Sequence, residues 1–268
     1  MIEHKIDNTE GILNTFIITF VHDLYIERCL KTLTTTIDRK KHRIILIEAP
    51  SVEKREIIYP KIKDYLDIYI RTEKNYGFSQ SVNIGMSLVR TPYFTIVHDD
   101  CWFIHKGWWE EIAEVLTKDQ NLLMLQPVQA NRRGKMWPEF PSEEEYKQIL
   151  SYQKSTSVAE IYCMIFKKQW LDEIGFLDES IYPIGPEDLE FWRLALAVNK
   201  RTGVTNKAMV FHKGAGRQDR CGGGLLHEYI GERNDFMDKW QGDKNLAVGG
   251  LTHGYSIQPQ KPNILRQL

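Results

Sequence analysis

Cysteine is scarce in this chain of 268 residues, and the four present, Cys29, Cys101, Cys163 and Cys221, lie far apart with no C-x-x-C pair. That pattern excludes a zinc ribbon and a dithiol redox motif. It suits reduced thiols in a cytoplasm better than a disulfide framework. Charge of one sign is also lacking: the formal net charge is -1, so no global basic field points to nucleic acid. No run reaches the roughly 18 apolar residues of a membrane span. The N-terminal Met1-Ile-Glu-His-Lys5 lacks the regions of a secretory signal. Repeats and long low-complexity segments are absent as well. The expectation is a cytoplasmic globular protein without a transmembrane segment.

Three short apolar runs are present early: Thr15–Phe20, Arg43–Ile47 and Tyr93–Val97. Each reads as a buried parallel strand. Helical patterns lie between them, over Leu24–Thr35 and Ser79–Val89, the latter with Val82, Met86 and Val89 on one face. Strand and helix in alternation predict an α/β fold with a doubly wound, mostly parallel sheet. Ligands bind such sheets beyond the carboxyl ends of the strands, here just after Phe20, Ile47 and Val97. Further along, Gly107–Thr117 reads as a helix, Glu160–Lys167 as a strand, Glu187–Val198 as a helix and Ala208–Phe211 as a short strand. Gln129–Ser142 is irregular and basic, and the chain from Gln241 onward has little periodicity.

Three local features carry chemistry. His98-Asp99-Asp100-Cys101 follows an apolar strand. Adjacent carboxylates repel, so a site that keeps both ionised recruits a cation; a solvated turn is the plainer reading. Gly185-Pro-Glu187-Asp188 opens a helix. Acids there suit the macrodipole, or one of them serves as a general base towards a hydroxyl. His212 follows Val210-Phe211 and precedes a Lys- and Gly-rich loop, where it is either a structural histidine or a ligand. Together, Asp100 and His212 would form a hard cation site that neutralises a diphosphate, with Asp188 facing it from the acceptor side.

Asn75-Tyr-Gly77-Phe-Ser-Gln-Ser-Val-Asn83-Ile-Gly85, then Thr91 to Asp100, resembles the family 2 glycosyltransferases of the GT-A fold. The likeness continues through Trp170-Leu-Asp-Glu-Ile-Gly175-Phe-Leu-Asp178-Glu179 and Gly185-Pro-Glu187-Asp188, and covers roughly residues 12 to 215. The resemblance implies a Rossmann-like GT-A sheet with flanking helices and a C-terminal acceptor-side extension. One catalytic unit would span residues 1–240, its nucleotide-sugar half over about 12–105 and its acceptor half over about 106–240, followed by a tail at 241–268. Thr19, Phe20 and Glu48 would cradle base and ribose, with Asn75, Gly77, Asn83, Asp99 and Arg217 on the donor. The family often has Asp where Glu48 stands. Asp100 and His212 would hold Mn²⁺ or Mg²⁺, although many relatives carry a further acid where Cys101 stands. Asp188 would be the base of an inverting transfer, with Glu187 and Trp137 at the acceptor.

The implied donor is a nucleoside diphosphate sugar, specifically a UDP-sugar, and the activity is that of a hexosyl- or pentosyltransferase. The acceptor would be a glycan. A compact enzyme of this kind also resembles phage transferases that glycosylate modified DNA bases, and Asn131 to Trp137 is basic with an aromatic residue. Lys213–Gly224 reads as a lid over the diphosphate or as a linker. Trp102, Trp108, Trp109 and Trp137 offer flat faces for stacking, with helical spacing assigning Trp108 to the core. Two alternatives remain. A nucleotidyltransferase of similar fold would want a glycine-rich loop after the first strand, where this chain reads Thr19-Phe-Val-His-Asp23. A non-catalytic sugar- or nucleotide-binding module would not need Asp188.

Overall fold

A computed structural model describes residues 2–4, 10–20, 23–49, 58–73, 76–129, 162–179, 191 and 194–212. Among them, nine strands form one sheet in the order β1-β4-β3-β2-β5-β8-β7-β9-β6. The strands are β1 (Ile2–His4), β2 (Asn14–Phe20), β3 (His42–Glu48), β4 (Ile68–Arg71), β5 (Tyr93–His98), β6 (Cys101–Trp102), β7 (Leu122–Gln129), β8 (Cys163–Lys167) and β9 (Arg201–His212). The helices are α1 (Asp23–Thr36), α2 (Tyr59–Ile62), α3 (Phe78–Ser87), α4 (Trp108–Lys118) and α5 (Gln169–Glu173). The four strands β4, β3, β2 and β5 run parallel to one another, and β1 adds to β4 antiparallel at the edge. β8 then joins β5 and β7 antiparallel, and β9 returns parallel to β7. This is the α/β, Rossmann-like architecture expected, with its parallel half in the N-terminal part of the chain.

The alternation that makes a strand also divides the core. All seven residues of β3 are buried. Ile44 and Leu46 face one way, against Ile26, Leu30 and Leu33 of α1. Ile45 and Ile47 face the other, against Ile84 of α3. A strand covered on both faces must be apolar throughout, which is why it reads as an unbroken run. Each such side chain contributes about 1.5–3 kcal/mol of burial, as an upper estimate. α3 lies unusually close to the sheet at Gly85, where an added Cβ would stand 2.3 Å from Ile17 Cγ2. Only hydrogen fits there.

Several expectations change. Ala208–Phe211 is the second half of a twelve-residue strand, β9. Its exposed Asn206 and Lys207 interrupt the buried pattern where the β7 register shifts between Pro127 and Val128. β4 and β7 were not expected at all. Gln126 and Pro127 break the apolar run of β7, and the bulge accommodates the proline. Trp102 and Trp109, offered as stacking faces, are buried like Trp108. Trp102 stacks on Phe211 at 4.9 Å between ring centroids. On Trp102, the Arg28 guanidinium carbon lies 4.1 Å from the ring centroid. Trp109 donates its indole N–H to Thr95 Oγ1 at 3.1 Å. Neither ring is available to a ligand.

Candidate active site

The carboxyl ends of the parallel strands converge where β2 ends at Phe20, β3 at Glu48 and β5 at His98. Phe20 pairs in register with Glu48, and Thr19 with His98. After His98 the chain turns through Asp99 and Asp100 and forms the two-residue strand β6. β6 pairs antiparallel with the end of β9, Cys101 opposite His212 and Trp102 opposite Phe211. That short pairing brings the late histidine to the acidic turn: His212 Nε2 lies 3.3 Å from Asp100 Oδ1.

Tyr162 fixes this corner. Its carbonyl accepts from the His98 backbone N–H at 2.8 Å and from the Cys101 thiol at 3.0 Å. Its ring stacks on His212 at 5.1 Å between centroids, and its hydroxyl donates to the Pro127 carbonyl. Gln129 Nε2 donates to the His212 carbonyl at 3.4 Å. The His98 ring meets Phe78 at the start of α3, with centroids 5.4 Å apart. Asp99 and Asp100 are buried, and their charge reaches Cys29: burial first, then these two carboxylates, push its thiol well above the usual range.

His98, Asp100 and His212 each offer a ligand atom, and the three atoms lie within 4.8 Å of one another. Donors bonded to one divalent ion at about 2.0–2.2 Å lie roughly 3 to 4.4 Å apart. The cluster therefore fits a cation with only slight contraction. Two imidazoles and one carboxylate suit Mn²⁺ better than Mg²⁺, which prefers oxygen. Asp100 and His212 are the pair expected from sequence. His98, the third member of the cluster, was not among the expected ligands, although it stands two residues before Asp100 at the end of a strand.

The residues expected on the donor side are placed as follows. Thr19 is buried at the end of β2. Glu48 is buried at 4% exposure, and its two oxygens are already engaged. The Tyr69 hydroxyl donates to Oε2, and Arg71 Nε stands 3.5 Å from Oε1. Gly77 opens α3 with φ 90°, a conformation that L side chains rarely adopt, and its carbonyl accepts from the Ser81 hydroxyl at 2.8 Å. Asn83, implied as a donor contact, commits both amide hydrogens elsewhere: to the Leu177 carbonyl at 2.9 Å and to Glu179 Oε1 at 2.8 Å. Asn75, Trp137, Glu187, Asp188 and Arg217 lie outside the described residues, as do the Lys213–Gly224 loop and the tail.

Residues 15–175 match the family described as glycosyl transferase family 2, more than half of the chain. The chain belongs to that family. Solved structures with the same fold include GalNAc-T7 with UDP, GalNAc and Mn²⁺, at TM-score 0.58 and 15% identity over 76% of this chain and 44% of that one. Residues 1–349 of S. aureus TarS align at TM-score 0.55 and 16% identity, covering 75% of this chain and 60% of that one. The mannosyltransferase PcManGT from Pyrobaculum calidifontis, in complex with GDP-Man and Mn²⁺, aligns at TM-score 0.57 and 13% identity, covering 75% and 58%. This family 2 chain thus spans about half the length of these neighbours. No curated protein matches its sequence. No helix among its described residues is long and apolar enough to cross a membrane.

Proposed function

We propose that this family 2 chain is a metal-dependent, inverting hexosyl- or pentosyltransferase that moves a sugar from a UDP-sugar to an acceptor hydroxyl. The observation that carries this reading is the meeting of His98, Asp100 and His212 at the carboxyl edge of the sheet. GalNAc-T7 and PcManGT, which share the fold, are described with UDP or GDP-Man and Mn²⁺. A divalent cation bound by these three side chains would supply Lewis-acid stabilisation of the charge that grows on the leaving diphosphate.

The chain's own residues supply the rest. Thr19, Phe20, Asn75, Gly77 and Asp99 hold base, ribose and sugar, and Arg217 the diphosphate. Glu187 and Trp137 hold the acceptor. Asp188 takes the acceptor proton as the hydroxyl oxygen bonds to the anomeric carbon; the bond from that carbon to the diphosphate oxygen breaks on the opposite face, and its electron pair leaves with the diphosphate. Residues 1–240 act as one unit, donor half over about 12–105 and acceptor half over about 106–240. The acceptor is a glycan, and a hydroxymethylated DNA base is the second reading, supported by the basic run Asn131–Trp137. The setting is cytoplasmic.

The test is a panel of UDP-glucose, UDP-N-acetylglucosamine and GDP-mannose with Mn²⁺. Slow hydrolysis is scored alone, then transfer to methyl glycosides or to a duplex containing hydroxymethylcytosine. Metal-dependent release of UDP supports the reading, and the acceptor arms separate glycan from DNA. Nucleotide-sugar binding without turnover in any arm points to a binding module. Release of pyrophosphate from UTP and a sugar phosphate points to nucleotidyl transfer.

A further inference from the structure

Asn83 is buried midway along α3 with 0% exposure. Its amide makes three hydrogen bonds to a segment about ninety residues later in the chain. Nδ2 donates to the Leu177 carbonyl at 2.9 Å and to Glu179 Oε1 at 2.8 Å, while Oδ1 accepts from the Leu177 N–H at 3.0 Å. A side-chain amide offers two N–H donors and a carbonyl acceptor in one plane, so it pairs with Leu177 as a neighbouring peptide would. An Asp would present acceptors to a carbonyl and a carboxylate, and a Leu would leave three buried groups unsatisfied.

Both sides of this junction are held. On one side, α3 is locked to β2 by the close approach of Gly85 to Ile17 and meets the metal corner through Phe78 and His98. On the other, the chain leaves α5 through Gly175, whose φ is 90° and whose N–H donates to the Trp170 carbonyl at 3.1 Å. Glu179 spends one carboxylate oxygen on Asn83. The other, Oε2, is buried with no hydrogen-bond partner among the described residues.

We infer that Asn83 and Glu179 are a positioning pair that fixes the acceptor-side chain to the donor-side helix α3, so that acceptor capture depends on this pair and donor binding does not. The inference rests on the transfer reading above. The experiment compares wild type, Asn83→Asp, Glu179→Gln and the double variant, using UDP-sugar with Mn²⁺ and whichever methyl glycoside or hydroxymethylated duplex accepts sugar. In Asn83→Asp two carboxylates face each other, and acceptor KM rises about tenfold or more while donor KM and acceptor-free hydrolysis stay within about twofold. In the double variant the glutamine amide donates to the new carboxylate while the Leu177 carbonyl still lacks its donor, so acceptor KM recovers in part, to below the Asn83→Asp value. Equal movement of donor and acceptor KM, or a double variant no better than Asn83→Asp, overturns the pair as a positioning device.

Should Asn83→Asp not fold, Glu179→Ala removes the same contact from the other side and must raise acceptor KM alone. Urea unfolding of the four proteins, or of wild type and Glu179→Ala with Asn83→Ser where Asn83→Asp fails, measures coupling between positions 83 and 179 whether or not sugar is transferred. Absence of coupling overturns the pair. A wild type that couples but never hydrolyses a donor overturns the transfer reading and leaves the pair standing.

Discussion

His212 Nε2 lies 3.3 Å from Asp100 Oδ1 because two residues of β6 pair with the last two of β9. Neither residue is near the other in sequence, and each belongs to a different half of the chain. Replacing either one, or His98, should cost Mn²⁺ affinity by at least about tenfold, the scale seen even for residues that only support a ligand. Titration of Mn²⁺ by electron paramagnetic resonance checks this without any turnover. Unchanged affinity in all three alanine variants would remove the cation from this corner.

Asp188→Asn should lower transfer by about 10²–10⁴-fold, the usual contribution of general-base catalysis. Binding of the UDP-sugar, followed by calorimetry, should stay near the wild-type value. Robust transfer by this variant would relieve Asp188 of the base role.

Gly85→Ala should destabilise the fold by about 1–3 kcal/mol, the range for overpacking a filled core. The new methyl would meet Ile17 Cγ2 at 2.3 Å, and a helical backbone gives it no room to turn away. Ile17→Ala in the same chain should recover part of the loss. Urea midpoints of the single and double variants decide it, and a Gly85→Ala chain as stable as wild type would contradict the close approach.

Glu110 gives a prediction in pH. Its side-chain contact with His42, at 3.3 Å, holds its carboxyl below the usual 4.5. A carboxyl lowered in the folded state contributes stability that is complete above its unfolded value and fades as pH falls through the folded one. Glu110→Gln should therefore flatten the decline of Tm below about pH 4.5 and lower Tm at neutral pH. Parallel Tm curves for the two proteins down through the acid range would show that the contact carries no such linkage.

Much of the parallel half was legible, because β2, β3 and β5 are covered on both faces and spell themselves as apolar runs. β4 was not, since Ile68-Tyr-Ile70 is too short a run to stand out before Arg71. The first half of β9 hides behind Thr202, Gly203 and Thr205, which are polar or small by type yet buried in place. In the corner of His98, Asp100 and His212, two acids and a late histidine were visible as ligand types. His98 was passed over as a flank, because the turn that sets it beside Asp100 has no signature in sequence. Asn83 shows the same limit more sharply. Its position in an N-x-G pattern suggests a ligand, and only the fold reveals that its amide is occupied by Leu177 and Glu179.

The two-residue pairing of β6 with β9 also sets an order of assembly. A ribosome delivers His98 and Asp100 long before His212, so an emerging chain that already contains four parallel strands still lacks the third member of this cluster. The cluster of His98, Asp100 and His212 is thus completed only once β9 has been made.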